Sequence, residues 1–360
     1  MSNHLLCRAA PLRTVLVGAG GMGMTWLRAL QAHPRFDLVG VADLDERRAR
    51  GAAIRLRRPD LAVAGDLGGL LGHAPDVCVN TTPPAAHFAV SSAALSAGLA
   101  VLSEKPFAAS LAEAVALARL ADRQRRLLMI AQSRRYEPGL ERLRDVARTL
   151  GPLGLVSVEF RRAYRDAGFR LGMDHPLLLD MAPHTFDAAR FVTGERPIAV
   201  TATEFNPPGS WYAGPAAALV TVEYTNGVHL GYTGSWCFDG METSWSGRWR
   251  VSGSHGTAGW DGETGPVVEY QADPRPVHRT ADGAGPAPVE PGNPARQSAA
   301  ALDEFAAALR GGPPPWGEAS DNLLTFATVQ AAIESARRGA RVTVDDLLAR
   351  HGALAGERVI

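Results

Sequence analysis

Cysteine is scarce in this chain: three residues, Cys7, Cys78 and Cys237, among 360. No two of them form a CxxC pair, which excludes a disulfide framework and a structural zinc site. Cys78 sits in the apolar run Asp76-Val77-Cys78-Val79 and reads as a buried, inert thiol. Net charge is also absent, with 37 basic residues against 37 acidic ones. That balance excludes a global nucleic-acid or membrane field and leaves local patches such as Arg47, Arg48 and Arg50. No run of 18 apolar residues free of charge or proline occurs, so no membrane span is expected. Met1 to Leu12 lacks the apolar core of a signal peptide. Internal repeats and long low-complexity segments are missing, and nothing calls for a metal. These absences predict a reduced, cytoplasmic setting with neither nucleic acid nor membrane as partner.

The composition is 46% hydrophobic and 21% charged, ample for a large core. The length suggests two domains. In the first third, short apolar runs alternate with helix-like runs. Thr14–Val17, Leu38–Ala42, Val77–Asn80 and Ala100–Leu102 read as strands. Gly23–Ala32, His87–Ala97 and Leu111–Arg125 read as helices. This alternation predicts βαβ units around a parallel sheet, with strands apolar along their length because both faces are covered. The rhythm changes after Ala131. Helices are expected over Glu137–Leu150 and Asp180–Val192, and strand-like runs dominate from Ile198 to about Tyr270. Asn226-Gly227 marks a hairpin. The expected architecture is α/β: a Rossmann doubly wound sheet over residues 1–131, then an α+β domain over 132–360. The second domain carries a large, open, mostly antiparallel sheet. A Pro/Gly/Ala-rich loop is expected at 281–294, and helices at Ser298–Leu309 and Leu323–Arg338.

The run Gly18-Ala19-Gly20-Gly21-Met22-Gly23 is an intact GxGxxG that follows an apolar strand and opens a helix. The first glycine permits the tight turn. The second clears room for a pyrophosphate at the backbone, and the third lets helix and strand pack closely. Asp43 closes the second strand, where a carboxylate accepts hydrogen bonds from ribose hydroxyls and repels a 2′-phosphate. Leu44 follows it, which favours NAD; Arg47 and Arg48 leave NADP open. Ligands of open α/β sheets lie beyond the carboxyl ends of the strands. Thr81, Thr82, Pro83 and His87, after the Val77–Asn80 strand, are therefore expected along the cofactor.

Glu104-Lys105-Pro106 ends the next strand, again at the carboxyl edge of the sheet. A lysine before proline is held extended, and the bond between them is a candidate cis peptide. Lys105 there could polarise a hydroxyl or carbonyl oxygen during hydride transfer. In the second domain Asp180 and His184 stand four apart, one face of a helix if the helix is continuous. Pro183 leaves open that they face one another through a turn instead. Histidine moves protons near neutral pH, and a carboxylate can orient it.

Together these motifs resemble the Gfo/Idh/MocA oxidoreductases, in order and in rough spacing, over nearly the whole chain. Gln132 with Arg134-Arg135-Tyr136 is similar to the domain junction of that family. The resemblance implies NAD(P)-dependent oxidation or reduction of a ring hydroxyl or ketone in a sugar, sugar derivative or cyclitol. It implies Lys105 as the catalytic lysine, His184 as the proton-transferring residue, and Asp180 as the group that positions substrate or histidine. Glu104 and Lys105 join the cofactor-side set. It also implies a homodimer or homotetramer formed through the C-terminal sheet. Many members carry glycines before the acid, whereas Asp174-His175-Pro176-Leu177-Leu178-Leu179 stands here, so His175 is a further candidate substrate contact. Arg135, Tyr136 and Tyr164 complete that set. Tyr136, Tyr164, Trp211, Tyr212, Trp236 and Trp245 could offer flat surface to a sugar ring or form core. Arg134, Arg135 and Arg165 are candidate partners for a phosphate or carboxylate, or solvated surface residues. Two rival functions are weighed: a glycosidase or lyase that retains NAD and oxidises transiently, and a non-enzymatic dinucleotide sensor.

Overall fold

A computed structural model describes residues 10–272, 275–279 and 293–353. Cys7 and residues 281–292 of the expected loop lie outside the described residues. The elements in chain order begin with β1 (Leu12–Val17), α1 (Gly21–Ala32), β2 (Phe36–Ala42), α2 (Glu46–Arg55), β3 (Ala62–Ala64) and β4 (Val77–Asn80). They continue with α3 (Pro84–Ser96), β5 (Ala100–Ser103), α4 (Leu111–Gln124), β6 (Leu128–Ile130), α5 (Pro138–Ala147) and β7 (Leu153–Arg161). Next come α6 (Ala182–Thr193), β8 (Pro197–Phe205), β9 (Ala217–Tyr224), β10 (His229–Ser235), β11 (Arg248–Gly253) and β12 (Gly256–Trp260). Last are β13 (Val267–Ala272), β14 (Arg275–Arg279), α7 (Pro294–Leu309), α8 (Ala319–Arg338), β15 (Val342–Thr343) and α9 (Val344–Arg350).

The chain divides into two compact units. The first holds the described residues up to Ser133, Pro294–Leu323 and those from His351. Its sheet has six parallel strands in the order β3-β2-β1-β4-β5-β6, the Rossmann arrangement. β4 and β5 are buried along their whole length, as continuous apolar strands covered on both faces should be. Pro294–Leu323 groups with this unit although it lies far along the chain from the sheet. Its cause is packing: α7 lies against α1 and buries Leu302 and Phe305 completely, while Asp303 meets His33 and Arg35. Helix α2 was unexpected. It buries small residues, Ala49, Ala52 and Ala53, so it shows no stripe of large apolar side chains.

The second unit holds Arg134–Asn293 and Leu324–Arg350. Its nine-stranded sheet runs β14-β13-β12-β11-β7-β10-β9-β8-β15. All pairs are antiparallel except β7 with β10. Asn226-Gly227 makes the hairpin between β9 and β10, with φ of +56° and +75° at the two residues. Residues alternate in and out along the middle of β7. Val156, Val158 and Phe160 of β7 are buried, and α5 and α6 pack on this sheet. Leu155, Ser157, Thr201, Leu219 and Thr221 face outward on the uncovered side.

Candidate active site

Two glycines of the loop in the first unit, Gly18 and Gly23, have a steric reason. Gly18 has φ +106°, and a Cβ there would lie 2.6 Å from the Thr81 carbonyl carbon. A Cβ on Gly23 would lie 2.0 Å from the Gly18 carbonyl oxygen. Gly20 differs: nothing lies within 4 Å of where its Cβ would be. Gly20 stands at the N-cap of α1 with no side-chain capping bond, and Gly21 and Met22 follow in the first turn, where no acidic residue occurs. The result is an open cradle of main-chain N–H groups at a helix start, the arrangement that holds a pyrophosphate.

Asp43 at the end of β2 accepts from the Ala19 amide at 2.8 Å through one carboxylate oxygen and from the Asp45 amide at 3.0 Å through the other. The backbone thereby fixes the carboxylate beside the loop, where ribose hydroxyls are recognised. Arg47, which had kept a 2′-phosphate in view, is engaged locally: its Nε donates to Asp45 at 3.0 Å. The Arg47 guanidinium beside Asp45 holds that carboxyl below its ordinary value.

The segment after β4 is a braced turn. Thr81 Oγ1 donates to the Gly18 carbonyl at 2.6 Å, and Thr82 Oγ1 donates to Asn80 Oδ1 at 2.7 Å. Pro83 caps α3 and is exposed. His87 is 1% exposed, with Nδ1 2.7 Å from the Pro106 carbonyl and Nε2 2.8 Å from the Thr82 carbonyl. Burial pushes its pKa down. Its two ring nitrogens face the Thr82 and Pro106 carbonyls, one of which takes the single N–H of the neutral ring, so the ring ties the two turns together.

One of those turns carries Lys105. The Lys105–Pro106 peptide is cis. Glu104 is held from two sides, by Trp26 Nε1 at 2.7 Å and by the Lys105 amide at 3.1 Å. Trp26 lies on α1, the helix that the glycine loop opens, and is 1% exposed. The brace from Trp26 to Glu104 was not foreseen. Its sequence signal is a single bulky aromatic in an otherwise ordinary helix.

In the second unit the helix expected from Asp180 onward starts later. Leu177–Met181 form one π turn, in which the Ala182 amide donates to the Leu177 carbonyl, and α6 begins at Ala182. Pro183 explains the wider turn, because it has no N–H and its ring would clash with the carbonyl four residues back. Asp180 lies in the π turn and His184 in the first turn of α6. Asp180 is paired with Arg170, whose Nε is 2.6 Å from one carboxylate oxygen. Arg170 comes from the 3₁₀ turn Gly168–Gly172, and nothing in its sequence surroundings singled it out. His184 lines a small cavity with Arg134, Glu137, Thr185 and Ser246. The Ser246 hydroxyl donates to Glu137 at 2.5 Å, and burial pushes the Glu137 carboxyl up.

The remaining candidates are placed as follows. Arg135 is 2% exposed and forms a two-pronged pair with Asp187 of α6, with a side chain 3% exposed. The pair is buried within the second unit. Tyr136 is half-buried at the end of the turn Ser133–Tyr136. His175 Nδ1 is 2.6 Å from Glu204 of β8, and that bond raises the imidazole pKa. Tyr164 is half-buried, its ring edge-on to Trp245 at 5.5 Å and tilted on Trp236 at 5.8 Å. Trp211 and Tyr212 both donate to the Tyr164 carbonyl. Five of the six aromatics thus form one cluster, in which Tyr212 and Trp236 are core and Trp245 is 43% exposed. Among the described residues no group of three metal-ligating side chains could hold a metal ion.

A parallel six-stranded sheet with this loop and a carboxylate-ended second strand defines an NAD-binding Rossmann oxidoreductase. The chain belongs to the Gfo/Idh/MocA family: residues 12–132 match the model of the oxidoreductase family with an NAD-binding Rossmann fold, and residues 144–259 match the GFO/IDH/MocA C-terminal domain. It is 28% identical to the rhizopine catabolism protein MocA of Rhizobium meliloti, over 89% of this chain and 94% of that one. It is 27% identical to a D-apiose dehydrogenase of Paraburkholderia graminis, over 94% and 91% respectively. A crystal structure of an Agrobacterium radiobacter oxidoreductase in complex with NAD+, L-tartaric acid and magnesium superposes with a TM-score of 0.82 at 22% identity, over 93% and 99%.

Proposed function

We propose that this protein oxidises a ring hydroxyl of a sugar, sugar derivative or cyclitol, or reduces the matching ketone, with NAD. The observation that carries this reading is the brace from Trp26 to Glu104. It fixes the Lys105 turn to the helix that the glycine loop opens. Gly18, Gly20, Gly21, Met22, Gly23 and Asp43 would hold the dinucleotide, with Thr81, Thr82 and Pro83 shaping the loop beside them. When bound, NAD supplies the acceptor for the electron pair of the carbinol C–H bond.

The protein's own residues handle charge and protons. The Lys105 ammonium donates a hydrogen bond to the substrate oxygen and stabilises the negative charge that grows there. His184 accepts the hydroxyl proton, and returns it in the reverse direction. Asp180, its charge balanced by Arg170, positions substrate or histidine. The relative named D-apiose dehydrogenase supports the reaction class and a sugar substrate.

A cytoplasmic setting is part of this proposal, supported by the buried free thiols Cys78 and Cys237. So is a homo-oligomer formed through the uncovered face of the large sheet. Leu155 and Leu219, each 49% exposed, are apolar positions that a second copy would cover.

The test is an NADH absorbance screen with sugars, sugar acids and inositols. NADH produced with one substrate class supports the reading. Free sugar released from a glycoside without net NADH would replace it with the NAD-retaining glycosidase or lyase. Tight NAD binding with neither product would replace it with a sensor.

A further inference from the structure

The first unit carries charges of both signs just beyond β2, where a 2′-phosphate would lie if the cofactor had one. Asp43 follows the strand, Asp45 and Glu46 come after it, and Arg47 and Arg48 come next. An arginine at this place is what accommodates a 2′-phosphate, by charge-assisted hydrogen bonds. The chain thus holds acids that refuse NADP beside a cation that suits it. Asp45 stands between them. It is the N-cap of α2, and one of its carboxylate oxygens accepts from the Arg47 amide at 3.1 Å. That oxygen also accepts from Arg47 Nε at 3.0 Å, and the other lies 3.4 Å from a terminal nitrogen of Arg47. The Asp45 amide in turn donates to Asp43 at 3.0 Å. One residue therefore starts the helix, holds the guanidinium and is tied to the carboxylate assigned to the ribose.

The Arg47 side chain is 92% exposed, so packing does not restrain it and the Asp45 contacts do. Glu46 is turned to Arg50, at 3.8 Å, and Leu44 has no polar side-chain group. An exposed ion pair adds little to the stability of a fold. Its consequence here is for the ligand. A 2′-phosphate would have to part Arg47 from Asp45 and would still face the Asp45 charge, whereas the free 2′-hydroxyl of NAD disturbs neither.

We propose that Asp45 is a cofactor-selectivity residue, which keeps Arg47 from a 2′-phosphate and so adds to the exclusion of NADP by Asp43. This rests on the assignment of Asp43 to the cofactor ribose, and on no substrate or turnover. The readout is dinucleotide binding alone.

The experiment titrates the full chain with NAD and, separately, with NADP, by calorimetry. The key variant is Asp45→Ser, because serine keeps the cap on α2 and drops the charge. It should raise NADP affinity by about tenfold and leave NAD affinity within about twofold. Adding Arg47→Ala to that variant should remove most of the gain, whereas Arg47→Ala alone should change NADP affinity by no more than about threefold. This non-additivity marks Arg47 as the captured cation. Arg48 is kept in every variant, so its charge cancels in the comparison. NADP affinity unchanged in a folded Asp45→Ser protein would overturn the proposal. So would a gain that survives in full without Arg47, since that is repulsion and no capture, and so would an equal loss from Arg47→Ala in both backgrounds. Asp43→Ser tests the premise: it should weaken NAD binding by about tenfold or more. An unchanged NAD affinity there would end the ribose assignment, while failure of the Asp45 variant alone ends only this inference.

Discussion

The two units build their candidate sites from different materials. In the first, the cofactor side is made of backbone. Gly18 and Gly23 are small because main-chain atoms of Thr81 and Gly18 occupy the space, and Gly20 leaves a cradle of amides. In the second, the site is made of side-chain pairs that reach across sequence: Arg170 to Asp180, Arg135 to Asp187, His175 to Glu204. A backbone site has its specification in one short run of residue types. A paired site has half of its specification elsewhere in the chain. The first unit should thus fail by steric intrusion, and the second by leaving a charge without its partner.

The largest effect is expected in the second unit. Arg135→Met leaves Asp187 as an uncompensated buried charge and should cost about 3–5 kcal/mol. Denaturant unfolding measures this. The double change Arg135→Met with Asp187→Leu should recover much of the loss, and no recovery would show that the pair is not the unit of stability. In the first unit, Gly18→Ala places a Cβ against Thr81 and Thr82 and should weaken NAD binding by about 100-fold, read by titration. Binding within about twofold of wild type would break the backbone account.

Arg170→Met should be milder, because the pair is partly exposed, with side chains 26% and 13% accessible. It should lower kcat/KM by about tenfold, and Arg170→Lys should restore part of that. A lower melting temperature with unchanged kcat/KM would assign Arg170 to stability alone.

The smallest effect is pH-dependent. Glu204 raises the pKa of His175 above its ordinary 6.5. The stability from this pair is fully present below that ordinary value and is lost as pH rises through the folded-state value. Glu204→Gln should therefore cost up to about 1 kcal/mol in mildly acidic buffer and almost nothing in alkaline buffer. An equal cost at both would remove the charge from the account.

Much of the first unit was legible in the sequence because its signals are local. Apolar runs at β1, β4 and β5, glycines at fixed spacing and an acid at a strand end all act over a few residues. The surroundings of His87 were less legible: sequence shows that a histidine follows the strand, but not that the Pro106 carbonyl comes round to meet it. In the second unit the alternating strands and the Asn226-Gly227 hairpin were legible. The π turn at Leu177–Met181 was foreshadowed by Pro183 alone. Arg170, Glu137 and the fate of Arg135 were not visible, since each is decided by a partner set by the tertiary fold. The return of α7 to the first unit was hidden likewise, because amphipathic pattern shows which face is buried but not against what.

The central claim is that binding NAD and transforming substrate are separable, with the glycine loop and Asp43 serving the first and Lys105 the second. The direct measurement is NAD affinity and NADH production on one sample of Lys105→Ala beside the wild type. The account predicts NAD affinity within about threefold of wild type and turnover reduced by about 1,000-fold or more. Turnover retained at near the wild-type rate would contradict it, as would loss of NAD binding together with activity.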